Sequence, residues 1–283
     1  MKILIVGASG FLGSNFFIEL KKKHDVIGTH FNNKNIENMR KLDIRNKFEV
    51  LHLIRNEEPD LILDCDGLTT TDFCEKQKSV AYDINFKGIK NICETANCKV
   101  IYFSTDYVFD GQKGSYSETD IPNPINFYGL TKLLAEQRVL STNLENLVVR
   151  VSGLYGLSEI NNKFLNAFNE KNIKACIDLF SSPTFIDDLC LNFESLRKYS
   201  GIIHFGGPER VNRCEMLKMA SKTFGFKCKI IPASYREMNF LARRPRDTSL
   251  ISNIFNPSKT KIKDALLKMR RELKNEKHNL SKK

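Results

Sequence analysis

Lys2-Ile3-Leu4-Ile5-Val6-Gly7-Ala8-Ser9-Gly10-Phe11-Leu12-Gly13 is the stretch that decides the fold of this chain. A short unbroken apolar run ending on glycine predicts a strand buried on both faces, as in the middle of a parallel sheet. Gly7, Gly10 and Gly13 fall three apart. The first permits turn angles that a Cβ forbids, the second lets the backbone approach a pyrophosphate, and the third lets the next helix pack close to the strand. A helix over residues 11 to about 23 would aim its free N–H groups and positive dipole end at that phosphate. Strand, glycine turn and helix in this order predict a dinucleotide site contacted by Gly7, Ser9, Gly10, Phe11, Leu12 and Gly13. The run opens the chain, so no signal peptide is expected ahead of it.

Outward from this stretch, strand and helix alternate. Strands are expected over 25–29, 60–64, 99–103 and 147–151, with helices over 46–56, 79–96 and 126–140 and a loop over 104–126. This series predicts an α/β fold, a Rossmann-type doubly wound parallel sheet. Beyond Val151 the rhythm loosens. Residues 164–171 read as helical, 182–189 as the entry to a helix running to about 199, and 201–205 as a further strand. Asn212 caps a helix to Phe224, with Glu215 three residues on as its capping-box partner. Residues 259–274 form a last amphipathic helix. The expected division is a Rossmann domain over 1–152, to which 184–205 return. A small interleaved C-terminal substrate-binding lobe takes 153–183 and 206–283.

The bulk composition narrows the partners. At 283 residues and 41% hydrophobic, the chain can build a large α/β core. It has no apolar run of about 18 residues, so no membrane span is expected. Its eight cysteines show no CxxC pair and no metal-ligand spacing, which predicts reduced thiols in a cytoplasmic protein and no metal site. The net charge of +11 suits steering of anionic ligands such as a dinucleotide and a nucleotide-linked substrate. Part of the excess sits in Arg270, Arg271, Lys274, Lys277, Lys282 and Lys283, a tail expected to be frayed and solvated, so nucleic acid is not expected.

Chemistry gathers at two places. Ser104-Thr105-Asp106-Tyr107-Val108-Phe109-Asp110-Gly111 starts at the carboxyl end of a central strand, where ligands bind in open parallel sheets. Thr105, Asp106, Val108 and Phe109 are the substrate contacts expected there. Tyr128-Gly129-Leu130-Thr131-Lys132 puts Tyr128 and Lys132 on one helix face, four residues apart. A nearby ammonium favours a phenolate and is expected to lower the Tyr128 pKa toward working pH. Tyr128 can then exchange a proton with a substrate oxygen that Thr105 also hydrogen-bonds.

The glycine turn, residues 104–111 and the Tyr128/Lys132 pair resemble the extended short-chain dehydrogenase/reductase superfamily. The resemblance is closest to its dTDP-4-dehydrorhamnose reductase family. Ser182-Pro183-Thr184-Phe185-Ile186-Asp187-Asp188-Leu189, residues 204–211 and the run from Ala242-Arg243-Arg244-Pro245 to Leu250 carry the same likeness in the family's order. It implies that Thr105, Tyr128 and Lys132 are catalytic. Tyr128 would protonate a C4 ketone of a nucleotide-linked 4-keto-6-deoxy sugar while the nicotinamide gives hydride, and Lys132 would also hold the nicotinamide ribose. Asp43 and Ile44 would lie near the adenine, and Asp64, Cys65 and Asp66 would line the cofactor groove.

The chain departs from that family at several points. Asp64-Cys65-Asp66-Gly67-Leu68-Thr69 replaces a small, Ala-rich run, and Asp66 near a pyrophosphate is costly unless it points away or meets a ribose hydroxyl. Gly153 stands where a Trp often stacks on the base, and the chain has no Trp. Leu179 and Ser181 replace a Gln and a Gly. Two alternatives stay open. One is a sugar-nucleotide epimerase or 4,6-dehydratase; the dehydratases carry an Asp-Glu pair after the Thr, whereas here Tyr107 follows Asp106. A non-catalytic NADP-binding subunit resembling the regulatory subunit of methionine adenosyltransferase shares the architecture. At least one of Arg243 and Arg244, in a loop stiffened by Pro245, is expected to clamp the substrate diphosphate. No acid appears from Val26 until Glu37, so the ribose site lacks the carboxylate that selects NADH. Thr29 or His30, with Lys34 or Arg40, would receive a 2′-phosphate, so NADPH is the expected cofactor, with NADH accepted as the alternative. A homodimer is compatible with this reading.

Overall fold

The computed structural model describes residues 1–32, 39–158, 163–257 and 259–280, with the side chains of 163 and 276–280 left aside. The Lys34 and Glu37 expectations, Lys282 and Lys283, and the Lys277 side chain lie outside the described residues. In chain order the strands are β1 (Lys2–Val6), β2 (Asp25–His30), β3 (Met39–Lys41), β4 (Leu61–Asp64), β5 (Lys99–Thr105), β6 (Leu147–Val151), β7 (Asn172–Cys176), β8 (Phe180–Ser181), β9 (Gly201–Phe205), β10 (Val211–Asn212) and β11 (Lys229–Ala233).

Seven of them form one parallel sheet in the order β3-β2-β1-β4-β5-β6-β9. The central strands are mostly apolar because helices cover both faces. Alternate residues feed two cores. Ile3, Ile5, Leu61, Leu63, Ile101 and Phe103 pack with Phe16 and Phe193 on one face. Leu4, Val6, Ile62, Val100, Tyr102 and Val148 pack with Ile54, Ile92 and Val139 on the other. The winding reverses between β1 and β4, so their carboxyl ends open the crevice where such sheets bind ligands.

A third core gathers Tyr155, Phe164, Phe168, Phe185, Leu217, Leu266 and Met269 around the helices Arg213–Phe224 and Ile262–Leu280. The first of these has the reciprocal Asn212/Glu215 cap and ends on Gly225. β7 pairs with β11 in parallel, and β8 with β10 antiparallel.

Several local expectations change. Residues 79–96 do not form one helix. Lys78–Tyr82 and Ile89–Thr95 are joined by a π-helical turn over Asp83–Gly88. Helix 164–171 shrinks to Lys163–Asn166 and a tight turn before β7, whose Ile173, Ala175 and Cys176 find a partner strand in β11. The helix expected from 182 to 199 is two short pieces, Ile186–Leu191 and Phe193–Leu196. Arg270 and Arg271 stand on a helix, not in a frayed tail.

A buried ion pair fixes the helix Phe127–Thr142 to the sheet. Glu136 accepts from Arg150 Nε and Nη2 at 3.0 and 2.7 Å and from Ser104 Oγ at 2.5 Å, and both partners of the pair are 2% exposed. His204 lies 3.4 Å from Arg150 through Nε2, while its Nδ1 faces the carbonyls of Tyr116 and Ile251. Burial and the Arg150 charge push the His204 pKa down to about 4. Neutral His204 therefore donates from Nδ1 and accepts from Arg150. Glu136→Ala leaves the Arg150 charge buried without a partner and should cost about 3–5 kcal/mol of unfolding free energy in urea titrations. A loss no larger than that of a surface substitution, about 0.5 kcal/mol, would show that the helix stands without the pair.

Candidate active site

The turn after β1 builds the floor of a cleft of about 680 Å³ lined by Gly7, Ser9, Gly10, Phe11 and Leu12. Gly7 has φ +75°, and a Cβ there would sit 2.8 Å from the Asp66 Cα. The Gly10 N–H closes the turn on the Gly7 carbonyl at 2.9 Å. The helix Phe11–Leu20 has no side-chain cap and no acid in its first turn, so its N–H groups and dipole remain for an anion. This cradle fits a dinucleotide pyrophosphate. Gly13 does not line it. A Cβ at Gly13 would meet the Gly7 carbonyl at 2.3 Å, so its part is the close packing of helix on turn.

At the adenosine end the cleft is walled by Thr29, His30, Phe31, Asn32, Leu42, Asp43, Ile44 and Arg45. Thr29 Oγ1 accepts the Gly7 N–H at 3.0 Å, so this hydroxyl braces the turn. His30 Nδ1 is buried with no hydrogen-bond partner. Arg40 is turned away, paired with Glu57 at 3.1 Å. The cation on this wall is Arg45, which sequence reasoning missed; it lies over the Phe31 ring and pairs with Asp43 at 2.7 Å. Its hydrogen bond holds the Asp43 carboxyl below the usual range.

Thr105, Asp106, Tyr128 and Lys132 line the other end. The Thr105 hydroxyl stands close enough to the Tyr128 phenol to favour its ionised form. Asp106 accepts from Thr105 at 3.1 Å on one oxygen, and from Ser152 at 2.7 Å and Thr248 at 2.6 Å on the other. It therefore holds Thr105 in place. Burial raises its pKa to about 6 against those bonds. Val108 and Phe109 correct the expected substrate set. A tight turn over Asp106–Val108 swings both inward, where they are fully buried with Tyr116 and Leu250.

The pKa of Tyr128 is likewise corrected. Burial raises it, and the Thr105 hydroxyl opposes the rise. The Lys132 ammonium instead stands 4.0 Å over the Tyr102 ring, with Asp64 and Asp66 as nearby acids. Desolvation lowers the Lys132 pKa to about 8. Asp64, 2% exposed, is raised to about 7 by burial and by Asp66, while Lys132 opposes the rise. Cys65 and Asp66 line the cleft. Asn85, also missed, is brought in by the π-helical turn. It accepts the Leu68 N–H at 2.7 Å and donates to the Leu68 carbonyl and Thr131 at 3.1 Å, tying the loop after β4 to the catalytic helix. Such a widened turn recurs at functional sites but leaves no clear sequence mark.

A second cavity of about 440 Å³ adjoins the first at Asp106, Tyr107, Gly153 and Leu154. Arg244 lines it, but its guanidinium is paired with Asp72 at 2.8 Å and stacked on Phe240. Arg243 lines neither cavity and is exposed; its carbonyl accepts from Asn126 at 3.0 Å. Of the two expected arginines, Arg244 reaches the second cavity and Arg243 does not.

Glycine cradle, parallel crevice and Thr-Tyr-Lys group define a Rossmann-type α/β protein of the short-chain dehydrogenase/reductase kind. The chain belongs to the RmlD substrate binding domain family, whose model matches residues 1–275. The dTDP-4-dehydrorhamnose reductase of Aggregatibacter actinomycetemcomitans is 32% identical over 231 residues, 75% of either chain. Methionine adenosyltransferase 2 subunit beta of Rattus norvegicus is 28% identical over 267 residues, 88% of this chain and 80% of its own. The crystal structure of dTDP-4-dehydrorhamnose reductase from Bacillus anthracis in complex with NADP matches with a TM-score of 0.86 and 28% identity, covering 96% of this chain and 99% of that one.

The cluster of Asp64, Asp66 and Lys132 can be read directly. In carbon-detected NMR of carboxyl-labelled protein, Asp64 should titrate near pH 7. Lys132→Met should move that midpoint higher, because the cation that favours the carboxylate is gone. A midpoint near the ordinary aspartate value of about 4 would mean that water reaches Asp64.

Proposed function

We propose that the protein is an NADPH-dependent reductase of the C4 ketone of a nucleotide-linked 4-keto-6-deoxy sugar. The observation that carries this reading is the gathering of Thr105, Tyr128 and Lys132 on one wall of the first cavity, next to Asp106 where the second cavity begins. NADPH, when bound, supplies hydride to the carbonyl carbon. Tyr128 donates its proton to the carbonyl oxygen. Burial keeps the phenol protonated at neutral pH, the state a donor needs. The Thr105 hydroxyl, turned from Asp106, donates to the same oxygen. Lys132 holds the ribose. The deoxysugar product suits synthesis of polysaccharide precursors in the cytoplasm.

Relatives that are subunits of methionine adenosyltransferase favour a second reading, a binding subunit with no turnover. Absorbance of NADPH on addition of a dTDP-4-keto-6-deoxy sugar separates the two. Oxidation should be seen, and Tyr128→Phe should lose about 10²–10⁴-fold in kcat while still binding NADPH. Cofactor bound without any oxidation would favour the subunit reading, and an unimpaired variant would remove Tyr128 from the chemistry.

Arg45 offers the charge for a 2′-phosphate on the adenosine ribose, with His30 beside it. Arg45→Ala should weaken NADPH about 10-fold or more and leave NADH nearly unchanged, since charge-assisted bonds contribute about 1.5–3 kcal/mol. Equal loss of both in fluorescence titration would place Arg45 elsewhere.

A further inference from the structure

Arg213 is a cation in the second cavity to which no role has yet been given. It is the first residue of the helix Arg213–Phe224, its side chain is exposed, and it lines the cavity. Of the neighbouring arginines, Arg210 pairs with Asp247, Arg244 with Asp72 and Arg246 with Asp178. Among the described residues no carboxylate lies within ion-pair distance of Arg213. The helix end beside it is already closed by the Asn212/Glu215 cap, so the guanidinium and not the helix N–H groups is the free donor. Surrounding protein atoms lower its pKa from the usual guanidinium value. An exposed guanidinium on a cavity wall, with no ion-pair partner among the described residues, is free to meet an anionic ligand.

The rest of the cavity says what that ligand is. Lys174 and Arg244 also line it, and the acid on its wall, Asp106, has both oxygens engaged by hydroxyls. The walls between these charges are apolar, from Leu179, Val211, Met216, Met238 and Phe240. Net positive charge beside a slot for a flat apolar ring fits a nucleoside diphosphate. A guanidinium presents two parallel donors to phosphate oxygens, which an ammonium cannot.

We infer that Arg213 is the residue that holds the diphosphate of a nucleoside-diphosphate substrate, in place of Arg243 or Arg244. The inference rests on the reading that the second cavity takes the nucleotide end of the substrate.

The test is calorimetric titration of the full chain with dTDP, UDP, deoxythymidine and uridine, with NADPH oxidation followed in parallel. For whichever diphosphate binds, Arg213→Ala should weaken it at least about 10-fold, with the matching nucleoside and NADPH unchanged. Arg213→Lys should fall between, and Arg243→Ala should match the parent. Unchanged diphosphate affinity in Arg213→Ala overturns the inference, as does an equal loss of nucleoside, which would mean lost wall packing. Failure of both diphosphates to bind the parent overturns it too. Arg213-dependent diphosphate binding without ketone reduction would keep this inference and remove the reductase reading.

Discussion

One side-chain stripe governs the geometry of the site. Tyr128, Lys132 and Glu136 follow one another four residues apart and lie on one face of the helix Phe127–Thr142. Each meets a residue of β5: Tyr128 meets Thr105, Lys132 the Tyr102 ring, and Glu136 the Ser104 hydroxyl. Glu136 is itself held by Arg150 of β6. The buried ion pair thus sets the height and rotation of the helix, and the chemistry one and two turns away inherits that setting. Such a pair contributes little net stability against an apolar replacement, but it is directional. At the far end Asn146 adds a second brace, accepting from the Val100 N–H and donating to the Val139 carbonyl at 2.8 Å each.

The sheet and the cofactor cradle were legible because their causes are local. An apolar strand running into Gly7 can be read without knowing its neighbours, and so can the Asn212/Glu215 cap. The family likeness found in residues 104–111 and 182–189 agrees with the match over residues 1–275. Glu136 was also within reach, since it continues the Tyr128–Lys132 spacing by one more turn.

What escaped depends on non-local packing. β7 and β11 are short, partly polar segments that become strands only because each finds the other. Val108 and Phe109 looked available at a strand end, but a turn of three residues decides which way they face. Arg45 and Arg213 carry no motif. Each is recognised by the cavity it lines and by its partners, or by the absence of one within ion-pair distance. The pKa of Tyr128 went the other way because helical spacing says only that Lys132 is near. The sign of the shift is decided by burial.

Asn126 divides its amide between two tasks. Its oxygen caps the catalytic helix by accepting the Gly129 N–H at 2.9 Å, and its nitrogen grips the Arg243 carbonyl at 3.0 Å. On either side of Arg243, Asp72 holds the Ala242 N–H and the Arg244 guanidinium. The wall of the second cavity is therefore hinged on the start of the helix that carries Tyr128. Variation that reshapes this wall can proceed along the far rim, at Met216, Met238 or Leu179, and leave Tyr128 where it is. Variation at the Asn126 corner would move the wall and the start of the Tyr128 helix together, so the two cavities are not free to change shape independently there.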